Sequence, residues 1–299
     1  MELKELNYIL VIAQEQSISK AADRLFMAQS SLSQFLTKFE TSMRTKLFVR
    51  TTKGVRLTYS GEVFIRYAKH MLQDYHQAEN ELWDIENLKA GKIEFGISSF
   101  RGAYLIPKVL RRFYEAYPNI HVVIHEHNTK ELKEMVQQNE LDIALLAVFD
   151  DDSQLATDKV MQDEIYIVAH GDQPVLQKTH KSCGCLWVNM KDAAPYKFLL
   201  SNEDTVLGNI AVDEFKKCQM PIIAVNRNLT AQFALLMAKE GIGLAFTYKS
   251  CALPRDNVYY LSIGKAGRYV NLVLKYPEDG YRSKATNLLG KIIREELGK

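Results

Sequence analysis

The chain has 299 residues, of which 47% are hydrophobic and 25% are charged. These ordinary globular values exclude a disordered chain, a collagen and a bundle of membrane helices, and at roughly 150 residues per domain the length predicts two domains. The net charge of +2 gives no indication of a nucleic acid, a membrane or an acidic substrate as partner, so any charged site must be local.

The beginning of the chain does not resemble an export signal. Charged residues stand where a signal peptide needs its apolar core, and no apolar run approaches the roughly 18 residues of a membrane span. We therefore expect a cytoplasmic protein without a membrane partner. The four cysteines are too few and too unevenly spaced for a disulfide framework, and we expect free thiols. They are Cys183, Cys185, Cys218 and Cys251.

Three amphipathic helices are predicted within the first forty residues. Apolar residues recur at i, i+3, i+4 and i+7 from Leu6, from Ile18 and from Leu32. The small residues Ala21 and Ala22 allow the second and third helices to cross closely, as a helix-turn-helix requires. The opposite face of the third helix carries hydrogen-bonding groups and no carboxylate, which suits base edges and phosphates in a DNA major groove. This face consists of Ser30, Ser31, Ser33, Gln34, Thr37 and Lys38.

A basic segment follows these helices. Residues 38–69 contain eight basic and two acidic side chains, which is the charge pattern of a phosphate-binding surface. Within it, residues 47–58 are typical of two short strands around a glycine turn, with Arg50, Lys53 and Arg56 near the tip. A strand-turn-strand after a helix-turn-helix is a wing. The alternative is that three helices pack only for stability and that the basic side chains form a solvated surface.

The order of these residues resembles the N-terminal signature of LysR-type transcriptional regulators. The matching positions are Ser17-Ile18-Ser19-Lys20-Ala21-Ala22, Leu25, Gln29-Ser30-Ser31-Leu32-Ser33, Phe39-Glu40, Leu47-Phe48-Val49-Arg50, Leu57-Thr58 and Gly61. The chain departs from the family at Gln16, where glycine is usual, at Ser30, where proline is frequent, and at Met43-Arg44, where Leu-Gly is common. The resemblance implies that Gln29, Ser31, Ser33, Gln34 and Lys38 face the DNA groove. It also implies that Arg50, Lys53 and Arg56 bind phosphates.

A long helix with a heptad pattern is predicted after Thr58. Its apolar residues alternate at intervals of four and three, which indicates a helix that pairs with a partner. They are Phe64, Ala68, Met71, Tyr75, Ala78, Leu82 and Ile85. The alternative is that this stripe packs on the chain's own domain. The resemblance favours a linker-helix homodimer, assembling further into a homotetramer, and a two-fold dimer predicts an inverted-repeat DNA operator.

Strands and helices alternate beyond Gly91, which is the pattern of open, mostly parallel α/β sheets. The first helix of this part is predicted from Tyr104 to Tyr117. The predicted fold class is therefore α/β overall, with an N-terminal winged helix-turn-helix and a long linker helix. The resemblance implies a two-lobed, periplasmic-binding-protein-like effector domain. We assign residues 1–58 to the winged module, 59–90 to the linker and 91–299 to the effector domain. Lobe I comprises residues 91–161 and 265–299, and lobe II comprises residues 162–264.

A ligand pocket is predicted between the lobes, because open α/β sheets bind ligands beyond the carboxyl ends of their strands. Ser98 and Ser99 follow the first strand and suit an anionic or hydroxylated effector, with Arg101 nearby as a carboxylate clamp. The serines are equally suited to plain helix capping, and Arg101 to a solvent-facing position. The candidates from lobe II are Ser201, Asn202, Thr205, Phe246 and Thr247, beside Tyr248.

Two further clusters of residues are weaker candidates for a functional site. His121, His125 and His127 alternate along a strand, but no carboxylate or cysteine cluster accompanies them in sequence, so we expect no metal site. Cys183-Gly184-Cys185 is unusual for the family at this place, and a free surface pair is favoured over a redox sensor.

Function follows from these parts. We expect a bacterial regulator that binds promoter DNA, is controlled by a small-molecule effector, and uses no cofactor or catalytic residue. The resemblance also allows RNA polymerase as a partner. A solute-binding component is one alternative, but it does not account for the heptads and the basic wing. An enzyme built on the α/β part is the other, and a turnover screen together with ligand-dependent thermal stabilisation would discriminate against it.

Overall fold

The structure is a computed structural model that describes residues 2–52, 54–85, 91–149, 158–182, 184–278 and 281–298. The chain divides into two compact units, residues 1–82 and residues 83–299. Across the described ranges, none of the helices is both long and apolar enough to cross a bilayer.

Among its described residues, the first unit contains three helices, a two-stranded sheet and most of a fourth helix, whose last residues belong to the second unit. The elements are α1 (Leu3–Glu15), α2 (Ile18–Arg24), α3 (Gln29–Ser42), β1 (Phe48–Thr51), β2 (Gly54–Leu57) and α4 (Tyr59–Ile85). The three predicted amphipathic stripes form its core, which includes Ile9, Ala21, Leu32 and Phe39. The Ser17 side chain accepts a hydrogen bond from the Lys20 N–H and caps α2 as its sequence predicts.

Two of the departures from the family sequence fall in left-handed backbone. Gln16 follows α1 with φ +51°, and Arg44 follows α3 with φ +53°. Glycine adopts this conformation without strain, whereas a side chain with a Cβ is disfavoured there. The two positions therefore have the geometry for which glycine is suited.

Helix α4 confirms the long helix predicted after Thr58. At its beginning, Phe64 packs against the core of the first unit, with its ring 5.4 Å from that of Phe39. Farther along, Met71, Tyr75 and Leu82 are 42%, 45% and 62% exposed. The apolar stripe is thus divided, since its first part packs on the chain's own domain and the rest of its described part is uncovered. Residues 86–90 of the predicted linker lie outside the described residues.

The second unit alternates strands and helices. Its elements are β3 (Gly91–Ile97), α5 (Ser99–Ala116), β4 (Ile120–Glu126), α6 (Thr129–Gln137), β5 (Ile143–Val148), β6 (Asp158–His170), β7 (His180–Ser182), β8 (Cys185–Val188), α7 (Met190–Ala193), β9 (Phe198–Ser201), α8 (Val206–Cys218), β10 (Ala224–Leu229), α9 (Ala231–Lys239), β11 (Leu244–Tyr248), β12 (Val258–Ile263), β13 (Tyr269–Lys275) and α10 (Lys284–Leu297).

Strand β6 joins two sheets. Its first half, from Asp158 to Glu164, pairs with β13, which also pairs with β5. Its second half, from Ile165 to His170, pairs with β11 and β12. The strand order is β10-β9-β11-β6-β13-β5-β3-β4, with the β7-β8 hairpin attached through β12. Each sheet has its own core, one around Phe95 and Phe113 and one around Phe198 and Phe215.

The structure differs from the sequence interpretation in two places. Helix α5 begins at Ser99, five residues before the predicted start at Tyr104, and it retains Pro107 in its interior. Glycine has low helix propensity, so Gly102 gave no indication of a helical first turn. The β7-β8 hairpin was not predicted, because strands of three and four residues are too short to show an alternation of apolar and polar side chains.

Candidate DNA interface and ligand cavity

The first turn and one face of α3 present polar side chains to solvent. Gln29, Ser30, Ser31, Gln34 and Lys38 are exposed, and Ser33 is half-buried. The N-cap residue of α3, Ala28, makes no side-chain capping bond, so the first N–H groups of this helix have no capping side chain as acceptor. Free N–H groups and hydroxyls at a helix N-terminus are suited to phosphate oxygens and to base edges.

A buried carboxylate joins α3 to the wing. Glu40, which is 5% exposed, accepts hydrogen bonds from the N–H groups of Leu47 and Phe48 at 2.9 and 3.0 Å. Its second oxygen lies 2.7 Å from Lys46 Nζ. Because one carboxylate satisfies two backbone donors and a cation, the beginning of β1 has a defined position against α3.

The wing carries cations at its surface. β1 and β2 pair in antiparallel register, and Arg50 and Arg56 are exposed. Arg50 Nη2 donates a hydrogen bond to Ser33 Oγ at 3.2 Å, which brings a predicted phosphate contact and a predicted groove contact together. Lys53, the third predicted wing cation, lies outside the described residues.

Gly54 fixes the tip of the wing against the end of α1. Its φ is +132°, and a Cβ at this position would lie 2.2 Å from the Gln16 carbonyl oxygen. That same oxygen accepts a hydrogen bond from the Val55 N–H at 2.8 Å. The turn therefore requires glycine for both its backbone conformation and its close approach to α1.

The second unit contains a cavity of about 550 Å³ between its two lobes. The cavity lies beyond the carboxyl ends of β3, β4, β9, β10 and β11, where open α/β sheets bind ligands. The starts of α5, α6, α8 and α9 surround it. Its lining includes Ser98, Ser99, Arg101, Asn128, Asn202, Thr205, Asn228, Thr230 and Tyr248.

The four helix starts at this cavity are capped differently. Side chains of Asn128, Thr205 and Thr230 accept hydrogen bonds from N–H groups in the first turns of α6, α8 and α9. Ser98, at the start of α5, makes no such bond. Its hydroxyl therefore remains available for other partners in the cavity.

Arg101 lies at the cavity with most of its side chain packed against neighbouring strands. The side chain lines the cavity but is only 2% exposed, and its Nε and Nη2 atoms are buried. Its guanidinium carbon lies 3.4 Å from the centre of the Tyr248 ring, and Nε lies 3.6 Å from the Asp163 carboxylate. Burial in this packing raises the pKa of Tyr248 to about 12. Arg101 thus connects α5 to β6 and β11.

Three other predicted effector residues lie behind the cavity wall. Ser201, Phe246 and Thr247 are buried and are not among the residues that line it. Phe246 stacks on Phe198 in the core of lobe II, with 5.4 Å between the ring centres. Ser98, Ser99, Asn202 and Thr205 do line the cavity.

Sequence reasoning missed part of the lining. Residues 126–129 at the end of β4 and 228–232 at the end of β10 contribute to the wall. The signal was present, since each segment is a strand end followed by a capping residue, Asn128 or Thr230.

The histidines and cysteines form ordinary surface and core contacts. His125 Nε2 lies 2.6 Å from Glu94, and His127 Nδ1 lies 3.1 Å from Glu131. Among the residues that the structure describes, no group of three histidine, cysteine, aspartate or glutamate side chains is arranged to hold a metal ion. Cys185 is exposed, Cys218 and Cys251 are buried, and Cys183 lies outside the described residues.

Both parts of the chain match known families. Residues 3–62 match the bacterial regulatory helix-turn-helix protein family of the lysR type, and residues 86–298 match the LysR substrate binding domain. A winged helix-turn-helix followed by a ligand-binding domain defines a transcriptional regulator rather than an enzyme. The chain belongs to the LysR family of such regulators.

Relatives and solved structures agree with this assignment. The uncharacterized HTH-type transcriptional regulator YkuM of Bacillus subtilis is 28% identical over 229 residues, covering 73% of this chain and 76% of the relative. A probable RuBisCO transcriptional regulator of Thalassiosira pseudonana is 27% identical over 300 residues, covering 95% and 94%. In fold, the chain is similar to full-length CbnR in complex with its target DNA, with a TM-score of 0.68, 16% identity and 99% and 100% coverage. It is also similar to a full-length OxyR variant of Pseudomonas aeruginosa, with a TM-score of 0.66, 21% identity and 98% coverage of both chains.

Proposed function

We propose that this regulator reads promoter DNA with the exposed face of α3 and holds the adjacent phosphates with its wing. The groove residues are Gln29, Ser30, Ser31, Ser33, Gln34 and Lys38, and the phosphate residues are Arg50, Lys53 and Arg56. The hydrogen bond between Arg50 and Ser33 carries this proposal, because it joins the two surfaces that a winged helix-turn-helix uses together.

The same proposal makes the regulator a homodimer that assembles into a homotetramer. The uncovered stripe of Met71, Tyr75 and Leu82 supports a helix pair along α4, since three large apolar side chains exposed on one helix gain stability when a partner covers them. A two-fold pair of modules requires an inverted repeat in the DNA. RNA polymerase is the further partner that a promoter-bound regulator implies.

We assign the effector to the cavity between the lobes, with Ser98, Ser99, Asn202 and Thr205 as its polar contacts. Four helix starts and several neutral hydroxyl and amide groups favour a small molecule with hydrogen-bonding groups. The corresponding domain division is residues 1–58, 59–90 and 91–299, with lobe II formed by residues 162–264. A regulator of chromosomal promoters functions in the cytoplasm.

Selection from a random duplex pool tests the DNA part. The full-length protein should enrich an inverted repeat, and Gln34→Ala should change the enriched bases. If the enriched duplexes share no motif, DNA reading by α3 is refuted.

Native mass spectrometry of the freshly purified protein tests the effector part. A co-purified small molecule should be lost from Ser99→Ala and retained by Ser182→Ala, a variant of a serine outside the cavity. A molecule retained equally by both variants would refute the cavity assignment.

A further inference from the structure

The last turn of α4 is built into the second unit through a buried aspartate. Asp84 is only 3% exposed. Its Oδ2 atom accepts hydrogen bonds from the Lys284 N–H at 2.7 Å and from the Tyr281 hydroxyl at 2.6 Å. Lys284 is the first residue of α10, so Asp84 satisfies one of the N–H groups that a helix start leaves without an internal partner.

Asp84 and Lys284 also form a second hydrogen bond, between the side chain of Lys284 and the backbone of Asp84. Lys284 Nζ donates a hydrogen bond to the Asp84 carbonyl oxygen at 2.9 Å. This oxygen belongs to the last described residues of α4, so Lys284 holds this part of the helix against the start of α10. Asp84 thus caps the start of α10, and the Lys284 side chain binds the backbone of α4 in return. We call this pair the reciprocal cap.

Helix α10 connects the reciprocal cap to α5, the helix whose first turn lines the cavity. It packs against α5 in the core of lobe I, where Phe113 and Leu289 are both buried. At the other end of the two helices, Arg112 Nη1 donates to Glu296 at 2.8 Å, and Lys108 Nζ lies 3.2 Å from the same carboxylate. The first turn of α5 lines the cavity.

We propose that Asp84 and Lys284 are positioning residues that couple the state of the effector cavity to α4. A displacement of α5 by an effector is passed to α10 by close packing, and the reciprocal cap passes it to the end of α4. The core of lobe I also holds α10, and the core of the first unit holds the beginning of α4, so breaking the cap should uncouple the elements without unfolding them. This inference rests on the proposed function, in which α4 connects effector binding with DNA binding.

Reciprocity allows a test without knowledge of the effector. If the cavity influences DNA binding, then DNA must influence the cavity by the same coupling free energy. The probe is a duplex enriched by the wild-type protein, and the readout is amide hydrogen exchange in the first turns of α5 and α10. In the wild type, DNA should change exchange there by about fivefold or more, the lower end of typical coupling.

The variants distinguish coupling from ordinary stability. Lys284→Met should abolish the DNA-dependent change in exchange, whereas Lys284→Arg retains a donor and should preserve it. Asp84→Ala should also abolish it. The matched control is Asp142→Ala. Asp142 lies in the same unit but outside the reciprocal cap, and its carboxylate accepts a hydrogen bond from the Glu94 N–H at 2.7 Å. This control should lose stability and keep the response.

The outcomes separate this inference from the function on which it rests. A response that persists in Lys284→Met and in Asp84→Ala would overturn the role of the cap. That role is equally overturned if wild-type protein binds the duplex and shows no response. Should Asp84→Ala fail to fold, the Lys284→Met and Lys284→Arg pair decides alone. Failure of the wild type to enrich any duplex would instead refute the proposed function, and the coupling with it.

Discussion

Arg50 on the wing strand β1 and Ser33 on helix α3 are seventeen residues apart in sequence and share a hydrogen bond of 3.2 Å. The guanidinium keeps further N–H donors, because one hydrogen bond uses one of the five that arginine carries. Arg50 can therefore contact a phosphate while it orients Ser33 beside the groove. In the proposed function, this contact sets the position of the wing relative to the recognition helix.

Arg50→Ala should weaken binding to the enriched duplex by about tenfold. It should also reduce the magnitude of the slope of log K against log salt by roughly the contribution of one phosphate contact, because the variant loses a cation that binds phosphate. Fluorescence anisotropy at several salt concentrations measures both quantities. The control is Arg111→Ala, which removes an exposed arginine of the second unit. Equal effects of the two variants would show that Arg50 contributes only general charge.

Gln16→Gly and Arg44→Gly should each raise the free energy of unfolding of the first unit by about 0.5–1 kcal/mol, because glycine removes the cost of a Cβ in left-handed backbone. Urea denaturation of the variants measures this gain. Lys20→Gly, in the exposed part of α2, should lower the same free energy by about 1 kcal/mol. Destabilisation by all three substitutions would contradict the strain at residues 16 and 44.

The winged module was accessible to sequence reasoning because its signals are local. Apolar periodicity located α1, α2 and α3, and the charge of residues 38–69 located the wing. Periodicity was silent about Glu40, whose role depends on the N–H groups of Leu47 and Phe48 meeting one carboxylate. A single acidic residue in a basic segment carries no sequence signal of burial.

Leu82→Lys should weaken self-association by about tenfold or more, because a 62% exposed apolar residue of the proposed seam becomes a charge that the paired helix must bury. Sedimentation equilibrium measures the dissociation constant. Leu253→Lys replaces a 56% exposed leucine away from α4 and should leave self-association unchanged. An unchanged dissociation constant for Leu82→Lys would place the interface elsewhere.

Thr205→Ala should lower the free energy of unfolding by about 1 kcal/mol, because its hydroxyl caps α8 by accepting the Gly208 N–H at 3.1 Å. Ser98→Ala should cost much less, since the Ser98 side chain makes no capping bond. Thermal denaturation of the ligand-free protein compares the two variants. Equal costs would contradict the difference in capping at the cavity.

Glu94→Gln should remove part of the stability of lobe I at neutral pH and leave it unaffected in strong acid. Hydrogen bonds from His125 and Lys92 outweigh burial and hold the pKa of Glu94 below its ordinary value. A lowered folded-state pKa contributes stability above the ordinary glutamate range, and this stability is lost as pH falls through the folded value. Denaturation at a series of pH values should show the two proteins converging below the ordinary range. A constant difference would contradict the shift.

The cavity was predicted in location but not in its full composition. The rule that ligands bind beyond strand ends identified Ser98, Ser99, Asn202 and Thr205. It gave no information on which residues of β11 the core covers, so Phe246 and Thr247 were included although they are buried. Arg101 shows the same limit, because its contacts with Tyr248 and Asp163 depend on the packing of distant segments.

The salt dependence of binding to the enriched inverted-repeat duplex tests the central claim most directly. Each phosphate neutralised by a cation contributes about −0.9 to the slope of log K against log salt. We expect a steep negative slope for the wild type, a shallower slope for Arg50→Ala combined with Arg56→Ala, and much weaker binding to a scrambled duplex. Binding that is insensitive to salt, or equally strong to the scrambled duplex, would contradict sequence-specific DNA recognition by α3 and the wing.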